Sequence, residues 1–377
     1  MKSFGMIGLL VVLAGCTTTK PEATTTATPA TPPLKVGVYA DRGPSGIGAV
    51  EWFRLIDESP DTDIKLLDGE MIRAGGLEGL DVLVMPGGSS MTEYETLGTN
   101  GVAKMKDFIR KGGGYIGTCA GCCLLMDGPK KRARVFPWNT LGSEGDLFYP
   151  RVQVTETGAK AMGVKKGLHQ MRYHGGPFMR PTTNIIEGAA FECWGTMESE
   201  ATFKGKINPK KQMYGAAAII GGTYGKGKVW ATSCHPEYFD STFYIIQGAF
   251  RYVTGREVRF PTRSKKPRAV AVGFVASGVG SVKDAQTALD LVAEKDFDVQ
   301  LIDGDGIWMR RLDHVDVLVV PSSKLAKNAS AMKLIKAFVA RGGKLVSVGS
   351  GRDLLPGVGI ACASHAEVVS AVRKFFP

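Results

Sequence analysis

The chain has 377 residues with a formal net charge of +11, seven cysteines and five histidines. That length suits two domains, and the cysteines are too few and too irregular for a disulfide framework, so the fold has to rest on its own apolar core. The basic residues are scattered apart from "PKKRAR" at 129–134 and "RSKKPR" at 263–268. Without any accompanying nucleic-acid motif they do not describe a nucleic-acid-binding surface.

In chain order, "MKSFGMIGLLVVLAGC" has one early lysine and an apolar run from Phe4 to Leu13 that is too short to cross a bilayer, which is the pattern of a secretory signal over 1–16. Leu13-Ala14-Gly15-Cys16 resembles a bacterial lipoprotein box. The resemblance implies acylation of Cys16, an anchor in the cell envelope and, with Thr17 rather than Asp after the cysteine, the periplasmic face of the outer membrane. The other reading is an ordinary cleaved signal. Residues 17–33, rich in Thr, Pro and Ala, cannot bury enough surface to fold and read as a tether.

From Leu34 onward, short β-branched runs alternate with helix-like stretches, the signature of a parallel sheet covered by helices on both faces. "LKVGVYA" predicts a first strand, and "GAVEWFRLID" a helix with Val50, Phe53 and Leu55 or Ile56 inward. "DIKLLDG" and "LDVLVMPGG" predict two further strands. "GVAKMKDFIRKGG", stopped by Gly112-Gly113, predicts a helix, and "YIGTC" a fourth strand. "RAVAVGFVASG", "DVQLIDGDG", "HVDVLVVPSS" and "MKLIKAFVARGGKLVSVGSGRDLL" then repeat that order in the last hundred or so residues. The expected organisation is a first α/β domain over 34–260 and a degenerate repeat over 268–377. Aligning Gly112-Gly113 with Gly342-Gly343 sets Cys119 against Gly349, so the second unit lacks the thiol.

The stretch "GGGYIGTCAGCCLL" carries the chemistry. Gly117-Thr118-Cys119-Ala120-Gly121 fits a nucleophile elbow, a tight strand-to-helix turn that projects its central side chain into a cleft. A helix starting near Ala120 favours thiolate at Cys119, and the Ala120 N–H faces a developing oxyanion. Pro86-Gly87-Gly88 ends another strand, and Gly88 is assigned as the second donor. In "GKGKVWATSCHPEYF", His235 follows a strand at 228–233 and Glu237 is placed to hold its other nitrogen. Cys119, His235 and Glu237 thus form nucleophile, base and orienter. Glu93, Tyr94, Tyr173 and His174 are candidate substrate-binding residues, although "RYHGGP" also fits a glycine turn with a packed tyrosine.

Cys119 and Cys122 also show the spacing of a redox dithiol. That pair needs neither the glycine frame nor the His-Pro-Glu, both of which are present. A zinc site would want more convergent ligands, and no cofactor is expected. Cys122 and Cys123 read as core-facing side chains, as do Cys193, Cys234 and Cys362, with one disulfide among the last three as an open alternative. His314 and His365 read as structural or exposed residues without partners.

"MPGGSSMTEYETLG", "GGGYIGTCAG", "RYHGGPFM" and "GKGKVWATSCHPEY" together resemble the biotin-protein ligase amino-terminal-like family of the class I glutamine amidotransferase-like superfamily, over about 34–254. The resemblance implies a flavodoxin-like fold and the same triad. It departs from the glutamine amidotransferases at Cys123, where they carry a substrate-holding glutamine, so free glutamine is not the implied substrate. The expected activity is that of a thiol hydrolase or amidase acting on a small-molecule or peptide amide, and a non-catalytic binding module is the other reading.

Overall fold

Amphipathic helices between β-branched strands force right-handed crossovers, which bring every strand's carboxyl end to one edge of a sheet. The computed structural model describes residues 31–376 except 45, 129–130, 141, 144–146, 201, 204–205, 208–211, 262–268 and 304–310. The expected signal sequence with Cys16, most of the tether, and the 263–268 basic cluster therefore lie outside the described residues.

The first lobe opens with strands Leu34–Tyr39 (β1), Thr62–Leu67 (β2), Val82–Met85 (β3) and Gly114–Thr118 (β4). Its first helices are Gly46–Glu58 (α1), Gly69–Arg73 (α2), Ser90–Arg110 (α3) and Ala120–Leu125 (α4). Val50, Phe53, Leu55 and Ile56 of α1 are all buried, and Trp52 joins them. α3 begins earlier than its periodicity predicts. Ser89 caps it by accepting from the Thr92 N–H, and a break at Gly98 (φ 62°, ψ 174°) separates this polar first part from the expected apolar-periodic part.

After α4 come Trp138–Thr140 (β5), Arg151–Val154 (β6), Glu156–Met162 (α5), Gly167–Gln170 (β7), Met179–Pro181 (β8) and Ala189–Met197 (β9). Then follow the short pair Thr202–Phe203 (β10) and Lys206–Ile207 (β11), Ala217–Tyr224 (β12), Gly227–Thr232 (β13) and Phe243–Thr254 (α6). The main sheet runs β2-β1-β3-β4-β13-β12-β9-β6-β7, with β8 on β12 and β5 on β8. Its first five strands are parallel in flavodoxin-like order, so the fold class agrees with expectation. The other half is an antiparallel extension that the sequence pattern did not predict. It starts at the hairpin pairing Tyr224 with Gly227.

The second lobe holds Val270–Val275 (β14), Val282–Ala293 (α7), Phe297–Ile302 (β15), Val317–Val320 (β16), Ala329–Ala340 (α8), Lys344–Ser347 (β17), Ile360–Ala361 (β18) and Val368–Arg373 (α9). Its parallel sheet runs β15-β14-β16-β17-β18, the same order as β2-β1-β3-β4-β13. The two sheets are separate, but their cores are not. Val36, Val38, Trp52 and Phe53 belong to one buried apolar cluster with Phe274, Leu289 and Leu291, and α1 packs on α7. Pro33–Pro377 is accordingly one compact unit.

Candidate active site

Cys119 stands between β4 and α4 with φ 50° and ψ −100°, a conformation that L-residues avoid and that marks a strained elbow. Its backbone is held from both sides: the Cys119 N–H donates to the Thr232 carbonyl (2.8 Å) and its carbonyl accepts from Cys123 (2.9 Å). Below it, Tyr115 donates its hydroxyl to the Gly121 carbonyl (2.7 Å), and a Cβ on Gly121 would lie 2.1 Å from the Met85 carbonyl oxygen. The glycine frame therefore lets two backbone segments approach each other, and Cys119 itself carries the positive φ. The thiol is 6% exposed and its Sγ lies 3.7 Å from the His174 carbonyl oxygen.

His235 follows β13, the neighbour of β4, which is how the sheet brings two residues far apart in sequence to one edge. Its Nδ1 bonds Glu237 Oε1 at 2.7 Å, and its side chain hydrogen bonds Cys119. Burial alone pushes the imidazolium pKa down, but the Glu237 carboxylate and the Cys119 sulfur outweigh it and raise the pKa to about 10. Cys119, His235 and Glu237 thus lie together at one edge of the sheet. Ala120 opens α4, where first-turn N–H groups have no intrahelical acceptor. At the facing turn, Gly87 is the residue against the thiol: a Cβ there would lie 2.5 Å from His235 Cε1 and 3.2 Å from Cys119 Cβ. Gly88 continues that turn at φ 153°.

Glu93 is fully buried in the first turn of α3, and neither carboxyl oxygen has a hydrogen-bond partner. Burial, reinforced by the nearby Cys119 charge and only partly offset by Arg132, holds its pKa well above the ordinary carboxylate range. The shift favours the protonated carboxyl next to the Cys119 thiol.

Other expected site residues are placed differently. Tyr173 is not a substrate-facing residue: it is fully buried, its hydroxyl donates to the Gly176 carbonyl (2.6 Å), and it stacks on Phe178. Its loop reaches the site through the His174 backbone carbonyl instead. Tyr94 is half-buried and packs against the apolar core under α3. His365 has a partner, with Nε2 2.9 Å from Asp284 Oδ1. Cys122 faces the core with Sγ 3.3 Å from Met179 Sδ, and burial pushes its thiol up. Cys123 is also pushed up by burial. All six described cysteines are free.

Sequence reasoning missed Gly48 and Arg172. A Cβ on Gly48 in α1 would lie 2.7 Å from Glu237 Oε1 and 3.3 Å from His235 Nδ1. The Arg172 carbonyl accepts from the His235 N–H (2.8 Å), and its guanidinium lies 3.6 Å from the Tyr238 ring centroid. Neither contact is local in sequence. The "RYHGGP" motif pointed to the Arg172 segment without identifying the arginine.

Residues 64–124, from β2 through the elbow and α4, match the family described as "Biotin-protein ligase, N terminal". His235 and Glu237 lie beyond the matched stretch. Over 56 residues, 15% of the chain, it is 46% identical to the pyridoxal 5'-phosphate synthase subunit PdxT of Corynebacterium jeikeium (strain K411), and that match spans 29% of the subunit. Among solved structures, a ThuA-like protein from Bacteroides uniformis ATCC 8492 superposes with TM-score 0.46 and 11% identity, covering 62% of this chain and 96% of that one. The structure of PurLQS from Thermotoga maritima does so with TM-score 0.41 and 12% identity, covering 58% and 99%.

Proposed function

We propose that this amidotransferase-like fold works as a thiol hydrolase or amidase, held in the cell envelope by a lipid on Cys16. The supporting observation is the strained elbow that presents Cys119 to a buried His235–Glu237 pair. In this reading Cys119, its proton already on His235, attacks the carbonyl carbon of an amide as the thiolate of a thiolate–imidazolium pair. The carbonyl oxygen gains the electron pair and takes the Ala120 N–H, with a second donor from the Gly87–Gly88 turn. His235 protonates the departing amine as the C–N bond breaks and a thioester forms. Water then attacks the thioester carbonyl and gives its proton to His235, the C–S bond breaks with its electron pair on sulfur, and acid is released with the thiolate–imidazolium pair restored, while Glu237 keeps the imidazole oriented throughout. Glu93, as a neutral acid, offers one hydrogen bond beside the nucleophile without adding charge.

Cys123, where glutamine amidotransferases hold substrate with a glutamine, directs the activity away from free glutamine and towards a small-molecule or peptide amide of the envelope. The deciding experiment is hydrolysis of a panel of peptide and small amides by the full chain. Cys119→Ala and His235→Ala should each lower the rate by at least about 100-fold. Unchanged hydrolysis in either variant would refute the reading. If no amide is cleaved and Cys119 alkylates only as an ordinary thiol, the fold serves binding instead.

A further inference from the structure

The second lobe keeps more of the first than its strand order. Ala231 pairs with Gly117 across β13 and β4, and Ala361 pairs with Ser347 across β18 and β17. Counting on from these pairs, Cys119 corresponds to Gly349. Likewise Thr232-Ser233-Cys234-His235-Pro236-Glu237 corresponds to Cys362-Ala363-Ser364-His365-Ala366-Glu367. A histidine and a glutamate therefore recur at the same two sheet positions. The positive φ of the elbow recurs too, 57° at Gly349 against 50° at Cys119. A Cβ built on Gly349 would lie 3.8 Å from His365 Cε1 and 3.9 Å from Nε2, so the imidazole still faces the place where a nucleophile would stand.

Two differences separate the copies. His235 uses Nδ1 to bond its glutamate, leaving its other nitrogen for the thiol. His365 instead has Nε2 on Asp284 (2.9 Å). Glu367 is turned away, accepting from the Ala363 N–H (3.1 Å) and the Ser364 hydroxyl (3.0 Å). Asp284 is the third residue of α7, as Gly48 is the third of α1, and both positions lie against the histidine of their lobe. The first lobe has no side chain there. In the second, Asp284 is itself fixed by Ser281 Oγ (2.9 Å) and the Gly280 N–H (3.1 Å).

We propose that the second lobe carries a second copy of the catalytic site, silenced at two places: Gly349 removes the nucleophile, and Asp284 occupies a nitrogen of the histidine that faces the elbow. The chain then has one working centre, and an electrophilic amide should label one thiol per molecule, Cys119. The proposal rests on Cys119 and His235 acting as nucleophile and base, which alkylation of the unmodified protein tests separately.

The experiment restores the missing parts in the full chain carrying Cys119→Ser, with iodoacetamide as probe and peptide mass spectrometry to locate the adduct. Sulfur displaces iodide, an S–C bond forms as C–I breaks, and the thiol proton passes to base. With Gly349→Cys alone, the installed thiol should alkylate with an ordinary midpoint near roughly 8.5. With Asp284→Gly added, the midpoint should fall by at least about one pH unit and the rate at pH 7 rise about tenfold, and His365→Ala should reverse both. An ordinary profile in both backgrounds would overturn the proposal, and a lowered, His365-dependent profile in Gly349→Cys alone would overturn the role of Asp284. Because the Gly349 Cβ would lie 3.1 Å from the Pro321 carbonyl oxygen, the series is repeated with Ser322→Gly, which restores the Pro-Gly turn of the first lobe. Failure to fold in that background as well would mean the elbow does not accept a nucleophile, and the proposal falls.

Discussion

At the scale of single residues, the site is governed by how charge is stabilised out of water. His235 is buried but has a carboxylate on one side and a thiol on the other, so its protonated form is favoured up to about pH 10. A pKa raised in the folded state contributes stability that is complete below about 6.5 and is lost as pH rises towards 10. Chemical denaturation at pH 6 and pH 10 should therefore show His235→Gln costing more at the lower pH. For Glu93 the raised pKa acts with the same sign, but in a window that opens at the ordinary carboxylate value. Folding takes up a proton once pH exceeds the ordinary value, and each further pH unit costs about 1.4 kcal/mol. Glu93→Gln should thus gain stability relative to the parent as pH rises from 5 to 8, with no gain at pH 4. An equal gain at both ends would show that Glu93 is ionised in the folded protein. Cys119, His235 and Glu237 were legible in the sequence because their motifs are local. The protonation of Glu93 was not, since it depends on what closes over the first turn of α3.

Elements carry the second level of control, through backbone approach. The elbow is fixed by the β4–α4 turn pressing on the end of β3, where a Cβ on Gly121 would lie 2.1 Å from the Met85 carbonyl oxygen. Gly121→Ala should destabilise the fold by about 1–3 kcal/mol, read as a lower denaturation midpoint, because backbone has to move. Gly87→Ala should behave differently, since its Cβ meets the His235 ring and the Cys119 Cβ. There the larger loss should be in thiol reactivity: the iodoacetamide rate at pH 7 should fall at least about tenfold while the melting temperature moves by a few degrees. The parallel strands were readable because apolar runs alternate with helical periods. β5 to β9 and β12 were missed, since strands in an antiparallel extension pair through turns and non-local registers that leave weak periodic signals. The first part of α3 was missed for a related reason: it begins in a polar capped segment ahead of the break at Gly98.

For the whole molecule, the two sheets share one apolar cluster, in which Leu291 of α7 is fully buried. Leu291→Ala should cost about 2–5 kcal/mol. Tryptophan fluorescence, which reports mainly on the first lobe, and amide exchange in β14 should lose stability together. Loss confined to β14 would mean that the lobes unfold independently. The repeat itself was evident from the order of the sequence motifs, and so was the missing thiol at Gly349. By itself the sequence determined the α/β class with its parallel strands, the internal duplication, and the motifs that hold Cys119, His235 and Glu237, because each is written in short-range spacing of β-branched, glycine and polar residues. Only the tertiary structure decided that Tyr173 packs inward, that Glu93 is buried without a partner, that the two cores merge and that Asp284 holds His365. These follow from contacts between segments far apart in the chain, whose energies depend on what each side chain meets once water is excluded.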